Sequence, residues 1–175
     1  MIFNLSTDDV LVTTSNPEYR EAVKDALAMY FQLTPNIDPT ECTYLNWRFI
    51  QSVTHITMDY SDHMMKMCHS YFKGRTPTKC DIPFRTDSQV EDDCASASQC
   101  SPSDLLKLER QYGAPFRSLC GEIQHVTTQS RPDLACTTHR NSMFKSFQCT
   151  LAFQEMDRIY RCLHHHLLKS LIFPK

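Results

Sequence analysis

The sequence has only three glycines in 175 residues. That is too few for a glycine-rich loop that folds its backbone around a phosphate, so nucleotide sites of that design are excluded. No apolar run approaches the ~20 residues that a membrane-crossing helix needs. The nine cysteines include no C-x-x-C pair, which removes the usual finger and thioredoxin-like spacings. No G-x-S-x-G motif is present, so no nucleophile elbow is read. An excess of one charge is also missing: 18 Lys+Arg stand against 20 Asp+Glu, a formal net of -2, unlike a histone-type chain. The opening residues have no basic flank and no unbroken apolar stretch, so no secretory signal is expected. Reduced thiols and an intracellular place, cytoplasm or nucleus, follow as expectations.

What is present fits a globular chain, with 41% hydrophobic and 22% charged residues. Its charge is uneven. Residues 1–103 hold 8 Lys+Arg and 14 Asp+Glu, whereas 104–175 hold 10 and 6 with five of the eight histidines. The basic second half is the part expected to meet a polyanion.

Local patterns predict an α+β plan. Two β-prone runs flank a polar break at 6–9 and read as a hairpin. Asn16-Pro17-Glu18 reads as a helix start, with Asn as cap and Pro in the first helical position. Tyr19, Val23, Ala26, Leu27 and Tyr30 follow at helical spacing and predict one buried face. Leu45, Trp47 and Phe49, then Ile56, Met58 and Tyr60, alternate with polar residues as a second hairpin turning near 52–54. Ser61-Asp62 reads as the cap of a helix that Gly74 can end. Residues 75–103 are polar and without period, and predict an extended linker that a protease cuts first. After it the pattern is helical to the end. The helices start at Pro102, at Phe116 and near Leu134, and the clearest stripe is Ala152, Met156, Ile159, Leu163 and Leu167.

Two sets of residues could carry chemistry. Asp8-Asp9 at a hairpin tip pairs two carboxylates, the hard oxygen donors that Mg²⁺ prefers. Two-metal phosphoryl transfer needs such carboxylates and another from a neighbouring strand. Cys162 and His166, one helical turn apart, form half of a metal site whose second half the sequence does not supply. His63, Cys68 and His69 share a helix, but Cys68 falls on its apolar side. His164-His165-His166 points three ways around a helix and reads as a pH-sensitive face.

Taken in order, the segments resemble the reverse transcriptase of copia-type LTR retrotransposons. Residues 5–12 (LSTDDVLV) are similar to the family's L-Y-V-D-D-I-L-I hairpin, and 44–50 (YLNWRFI) to its Y-F-L-G-I-x-I strand. Residues 56–64 resemble I-x-I-x-Q-x-x-Y-I, and 116–126 (FRSLCGEIQHV) resemble Y-R-S-L-V-G-S-L-L-Y-L. Residues 130–135 (SRPDLA) are close to T-R-P-D-I-A. Residues 153–163 resemble H-W-x-A-L-K-R-I-L-R-Y-L in Arg158, Ile159, Arg161 and Leu163, and 171–175 resemble the G-L-x-Y-P-K close before RNase H. The chain departs from the family at Ser6, where the family has an aromatic residue, and at Asn46, where it has Gly. Further departures are Ala152-Phe153 for His-Trp, Glu155 for Ala and Cys162 for Tyr.

The resemblance implies a partial palm over 1–74 with the Asp-Asp hairpin, a polar linker over 75–103, and a helical thumb- or connection-like region over 104–175. It implies Asp8 and Asp9 as catalytic, Mg²⁺-binding residues. It also implies an RNA/DNA template-primer as partner, with no membrane. Arg117, Arg131, Arg140, Arg158, Arg161 and Lys169 are the candidate nucleic-acid-binding face. The fingers and the third catalytic Asp would precede Met1, in this chain's gene or in another chain. The function expected is a truncated RNA-directed DNA polymerase, inactive alone. The alternatives are a host protein repurposed from it to bind nucleic acid or protein without catalysis, and a translated relic.

Overall fold

The computed structural model describes residues 2–6, 9–33, 40–85, 92–93 and 96–175, and only the backbone of 2–6 and 9. The protein is α+β, as its patterns predict, with six α-helices and a four-stranded antiparallel sheet among the described residues. It divides into two compact units, residues 1–59 with 171–175 and residues 60–170. None of the described helices is long and apolar enough to cross a membrane.

The first unit opens with a hairpin of β1 (Ile2–Ser6) and β2 (Asp9–Thr13), in a register that sets Ser6 opposite Asp9. Helix α1 (Pro17–Ala28) begins as the sequence predicts: Asn16 Oδ1 accepts the Glu18 N–H at 2.9 Å, and Pro17 takes the first position, where its missing N–H is no loss. Its apolar face is not buried, however. Tyr19 is 59% exposed and Tyr30 77%, and no residue of α1 is buried. Periodicity decides which side chains share a face, but it does not supply an element to cover them.

The sheet runs β3 (Glu41–Tyr44), β4 (Trp47–Gln51), β5 (His55–Asp59) and β6 (Leu171–Pro174), each antiparallel to the next. The β4–β5 hairpin is the predicted one, and Ser52 Oγ closes its turn by accepting the His55 N–H at 3.0 Å. The β3–β4 turn escaped the sequence pattern. Leu45 and Asn46 sit at φ 50° and 67°, the paired left-handed conformation of a two-residue hairpin loop. Asn tolerates it readily; a leucine there is strained by about 1 kcal/mol or more.

Strand β6 is the second surprise. It comes from the far end of the chain and pairs with β5, Ile56 opposite Phe173. Four residues ending in proline carry no local strand signal, and Pro174 is tolerated because β6 lies at the sheet's edge. Lys175 fastens the pairing, its N–H on Thr54 O at 3.0 Å and its Nζ on Ser52 O at 2.6 Å.

The second unit is helical: α2 (Ser61–Phe72), α3 (Pro102–Tyr112), α4 (Phe116–Gln129), α5 (Ala135–Ser142) and α6 (Thr150–His165), with single 3-10 turns at Pro132–Leu134 and Met143–Lys145. Helix α6 packs against α2, α3, α4 and α5. Ala152, Phe153, Ile159, Tyr160 and Leu163 on it are wholly buried, as are Met64, Phe116 and Val126 on its neighbours. Each large side chain so buried contributes about 1.5–3 kcal/mol before entropy is charged against it. Gly113 ends α3 at φ 86°, where a side chain would be strained. Helix α2 starts without a side-chain cap bond, contrary to the cap expected of Ser61-Asp62.

Of the expected linker over 75–103, residues 86–91 and 94–95 lie outside the described residues. The compact units divide at residues 59 and 60, not within 75–103. Residues 78–82 lie along α6: Arg161 Nη1 donates to Thr78 Oγ1 at 2.8 Å, Cys162 Sγ to Asp81 O at 3.7 Å, and Cys80 is buried. At the other end, the Cys100 N–H donates to Gln148 O at 2.9 Å. Residues 75–85 form no helix or strand, yet their polar groups find partners on α6. Trypsin should therefore cut after Arg20 and Lys24 on α1, which lacks buried residues, before it cuts after Lys79. Timed peptide mapping checks this; first cleavage at Lys79 would restore the loose-linker expectation.

Candidate nucleic-acid interface

Of the Asp pair, Asp9 alone has a described backbone. Asp9 opens β2 opposite Ser6; Asp8 and the Asp9 side chain lie outside the described residues. Two adjacent carboxylates offer Mg²⁺ oxygen ligands, but a two-metal centre needs a further carboxylate. Among the described residues no group of three or more His, Cys, Asp or Glu is arranged to hold a metal ion. With Asp8 and the Asp9 side chain outside the described residues, no catalytic step is derived through them.

The six candidate basic residues all fall in the helical unit but do not make one uncommitted face. Arg131 is the most deeply placed of the six. It is 1% exposed, its Nε and Nη2 each meet an Asp133 carboxylate oxygen at 2.8 Å, and its Nη1 donates to His166 O at 3.0 Å. That fork ties the 3-10 turn to the end of α6, so the residue is an internal brace. Arg161 pairs with Asp157 at 2.8 Å besides holding Thr78. Arg158 donates to Cys80 Sγ at 3.9 Å, and Arg117 to Lys145 O at 3.2 Å. Arg140 is half-buried beside Asn141, Phe144 and Glu155, around a void of ≈ 10 Å³. Lys169 is exposed, 3.8 Å from Asp133. A sequence shows the charge of an arginine but not the carboxylate or carbonyl that the fold sets against it.

Other polar groups gather inside the helical unit. The Tyr71 and Tyr160 rings stack at 3.9 Å, with Tyr71 donating to Asp157 and Tyr160 to Glu122 at 3.1 and 2.6 Å. Burial first, then the neighbouring carboxylates, push both phenols far above the ordinary tyrosine range. Tyr60 stacks on His63 at 4.7 Å and shares a 3.0 Å hydrogen bond with His125 Nε2. Burial, and after it the charges of His125 and Lys66, hold His63 below the usual imidazole value.

The half metal site of Cys162 and His166 does meet new neighbours. Cys162 donates to the Asp81 carbonyl, and His166 Nε2 stands 3.7 Å from Asp81 Oδ1. Cys80 is engaged separately, donating to Ile82 O at 3.1 Å. The thiols are thus spent on carbonyls rather than gathered around a cation. Burial pushes the Cys68 thiol up to about 12 and that of Cys120 to about 11. Since the thiolate is the nucleophile, iodoacetamide near pH ~8 should modify exposed Cys136 well before either. Equal rates by mass spectrometry would contradict the packed core.

One cation that the sequence did not single out is Arg75. No carboxylate pairs with it among the described residues. Its Nε and Nη2 donate to Phe72 O and Tyr71 O, at 3.1 and 3.5 Å, and it borders a cavity at the end of α2. Its place just after Gly74, the predicted helix end, was the one available signal.

The fold and these sites define an α+β protein with a sheet unit and a helical unit. Compared with known proteins, the chain matches no family model, no curated protein and no solved structure.

Proposed function

We propose that the chain is the rear part of an RNA-directed DNA polymerase of the copia-type retrotransposon class, unable to polymerise by itself. The observation that supports this is the order of elements. A hairpin bearing the Asp pair is followed by a helix, an antiparallel meander and an all-helical unit, the order that the resemblance implies for palm and then thumb. The departure at Asn46 is compatible with it, because φ 67° is a conformation that Gly and Asn both accept. On this reading Asp8 and Asp9 are the Mg²⁺ ligands, and the third carboxylate belongs to a strand outside these 175 residues. The template-primer is the partner, held chiefly by groups other than Arg131.

The test is primer extension on an RNA template with Mg²⁺. The 175-residue chain alone should not extend. The same chain fused behind the fingers and first palm segment of a copia-type enzyme should extend, and the Asp8→Asn, Asp9→Asn double variant of the fusion should not. A folded fusion without extension, or extension indifferent to the double variant, would overturn the proposal. The second reading, a host protein that binds another protein without catalysis, draws on the exposed Tyr19, Met29, Tyr30 and Phe31 on and just after α1. It predicts a reproducible protein partner lost on Tyr30→Ser and Phe31→Ser, with no extension from any fusion.

A further inference from the structure

At the end of α2 the helical unit carries a half-open hollow of ≈ 310 Å³, with Met65, His69 and Arg75 exposed on its rim. Its walls are of two kinds. Met65, Phe72 and Pro77 form an apolar side, while His69, Arg75 and His164 bring polar nitrogen to it. No carboxylate lines it. The volume sits at the lower end of small-ligand pockets, about 300–1,000 Å³, so it admits one ring-sized group with a compact polar head.

The local chain geometry places the cation. Lys73 and Gly74 both take left-handed conformations, φ 48° and 81°, and turn the chain sharply back. Arg75 follows at once, and its two bonds to Tyr71 O and Phe72 O hold the guanidinium across the last turn of α2. Those bonds also satisfy carbonyls at the negative end of the helix, which would otherwise repel an anion. Neither uses Nη1, whose two N–H groups meet no acceptor among the described residues and can serve a ligand. Phe72 is buried and meets the His164 ring edge-on at 5.7 Å, which steadies one wall.

We infer that this hollow binds a nucleoside monophosphate unit, its base against Phe72, Met65 and Pro77 and its phosphate on Arg75 with the two imidazoles. An arginine paired with phosphate makes a strong charge-assisted bond, and a flat base suits an aromatic and apolar wall. A fully apolar ligand would leave Arg75 Nη1 unused, and an amine would meet like charge. The unit comes either free or as one residue of a single strand. The inference rests on this cavity and not on the polymerase proposal, so each can fail alone.

Calorimetric titration of the full chain at neutral pH and low salt, ~50 mM, compares AMP, adenosine, inorganic phosphate and single-stranded oligo(dA). AMP or oligo(dA) should bind more tightly than adenosine or phosphate, and the tighter of the two identifies the source. Arg75→Ala should weaken that binding about tenfold, ~1.4 kcal/mol, with Arg75→Lys in between. Lys107→Ala, on an exposed site of α3, should leave it unchanged. Backbone amide NMR shifts on AMP addition should centre on residues 68–77 and 164. No binding by AMP or oligo(dA), unchanged affinity in a folded Arg75→Ala chain, or shifts centred elsewhere would overturn the assignment.

Discussion

Asp133→Ala should destabilise the helical unit by about 2–3 kcal/mol, and Arg131→Met by clearly less. The order follows from where the charges lie. Arg131 is 1% exposed, so removing its carboxylate partner leaves a buried cation with only the His166 carbonyl to face. Breaking a fully buried pair costs ~3–5 kcal/mol; Asp133 is 46% exposed, and water already screens part of the attraction. Arg131→Met removes the buried charge itself and nearly keeps its volume, which is often close to neutral. Urea unfolding followed by far-ultraviolet circular dichroism measures both. If Arg131→Met proves the costlier change, the brace has been misjudged. If it weakens template-primer binding while stability stays unchanged, the sequence-based expectation of a nucleic-acid contact stands instead.

The same pair sets a pH dependence. The hydrogen bonds from Arg131, aided by its charge and that of Lys169 and opposed by burial, hold the Asp133 carboxyl below the ordinary aspartate value. A carboxyl depressed in the folded state stabilises above its unfolded value, near pH ~3.9, and that contribution disappears as pH falls through the lowered value. The native chain should therefore lose stability below about pH 4 more steeply than Asp133→Ala. Equal slopes would mean that the pair is not formed in solution.

Phe153→Ala carries the largest expected cost, about 3–5 kcal/mol. Its ring is wholly buried in α6, stacked on Tyr112 at 5.3 Å and tilted against Phe116 at 5.1 Å. Truncation removes apolar contacts with α3 and α4 together, and rings on two separate helices cannot both close the void. Exposed Phe147→Ala is the control and should shift the unfolding midpoint little. A Phe153→Ala loss under ~1 kcal/mol would mean that the interior relaxes into the gap.

Signals confined to a few neighbouring residues are legible in the sequence. Asn16 with Pro17 starts a helix because the cap bond and the fixed proline angle involve only the next two residues. Gly113 ends one for a similarly local reason, and the stripe from Ala152 to Leu163 marks α6 because 3.6-residue periodicity is written into one segment. The α+β plan and the Asp-bearing hairpin follow from such signals. Tertiary structure decided what depends on a distant partner. Whether the α1 stripe is buried depends on an element that covers it. Residues 171–174 become a strand only because β5 offers an open edge, and residues 78–82 have a fixed path only because α6 presents Arg161 and Cys162. The same separation applies to the site residues. Charge is a property of a side chain, so the basic second half could be read directly. Availability of that charge depends on geometry, and geometry committed Arg131 to Asp133 while leaving Arg75 beside a cavity.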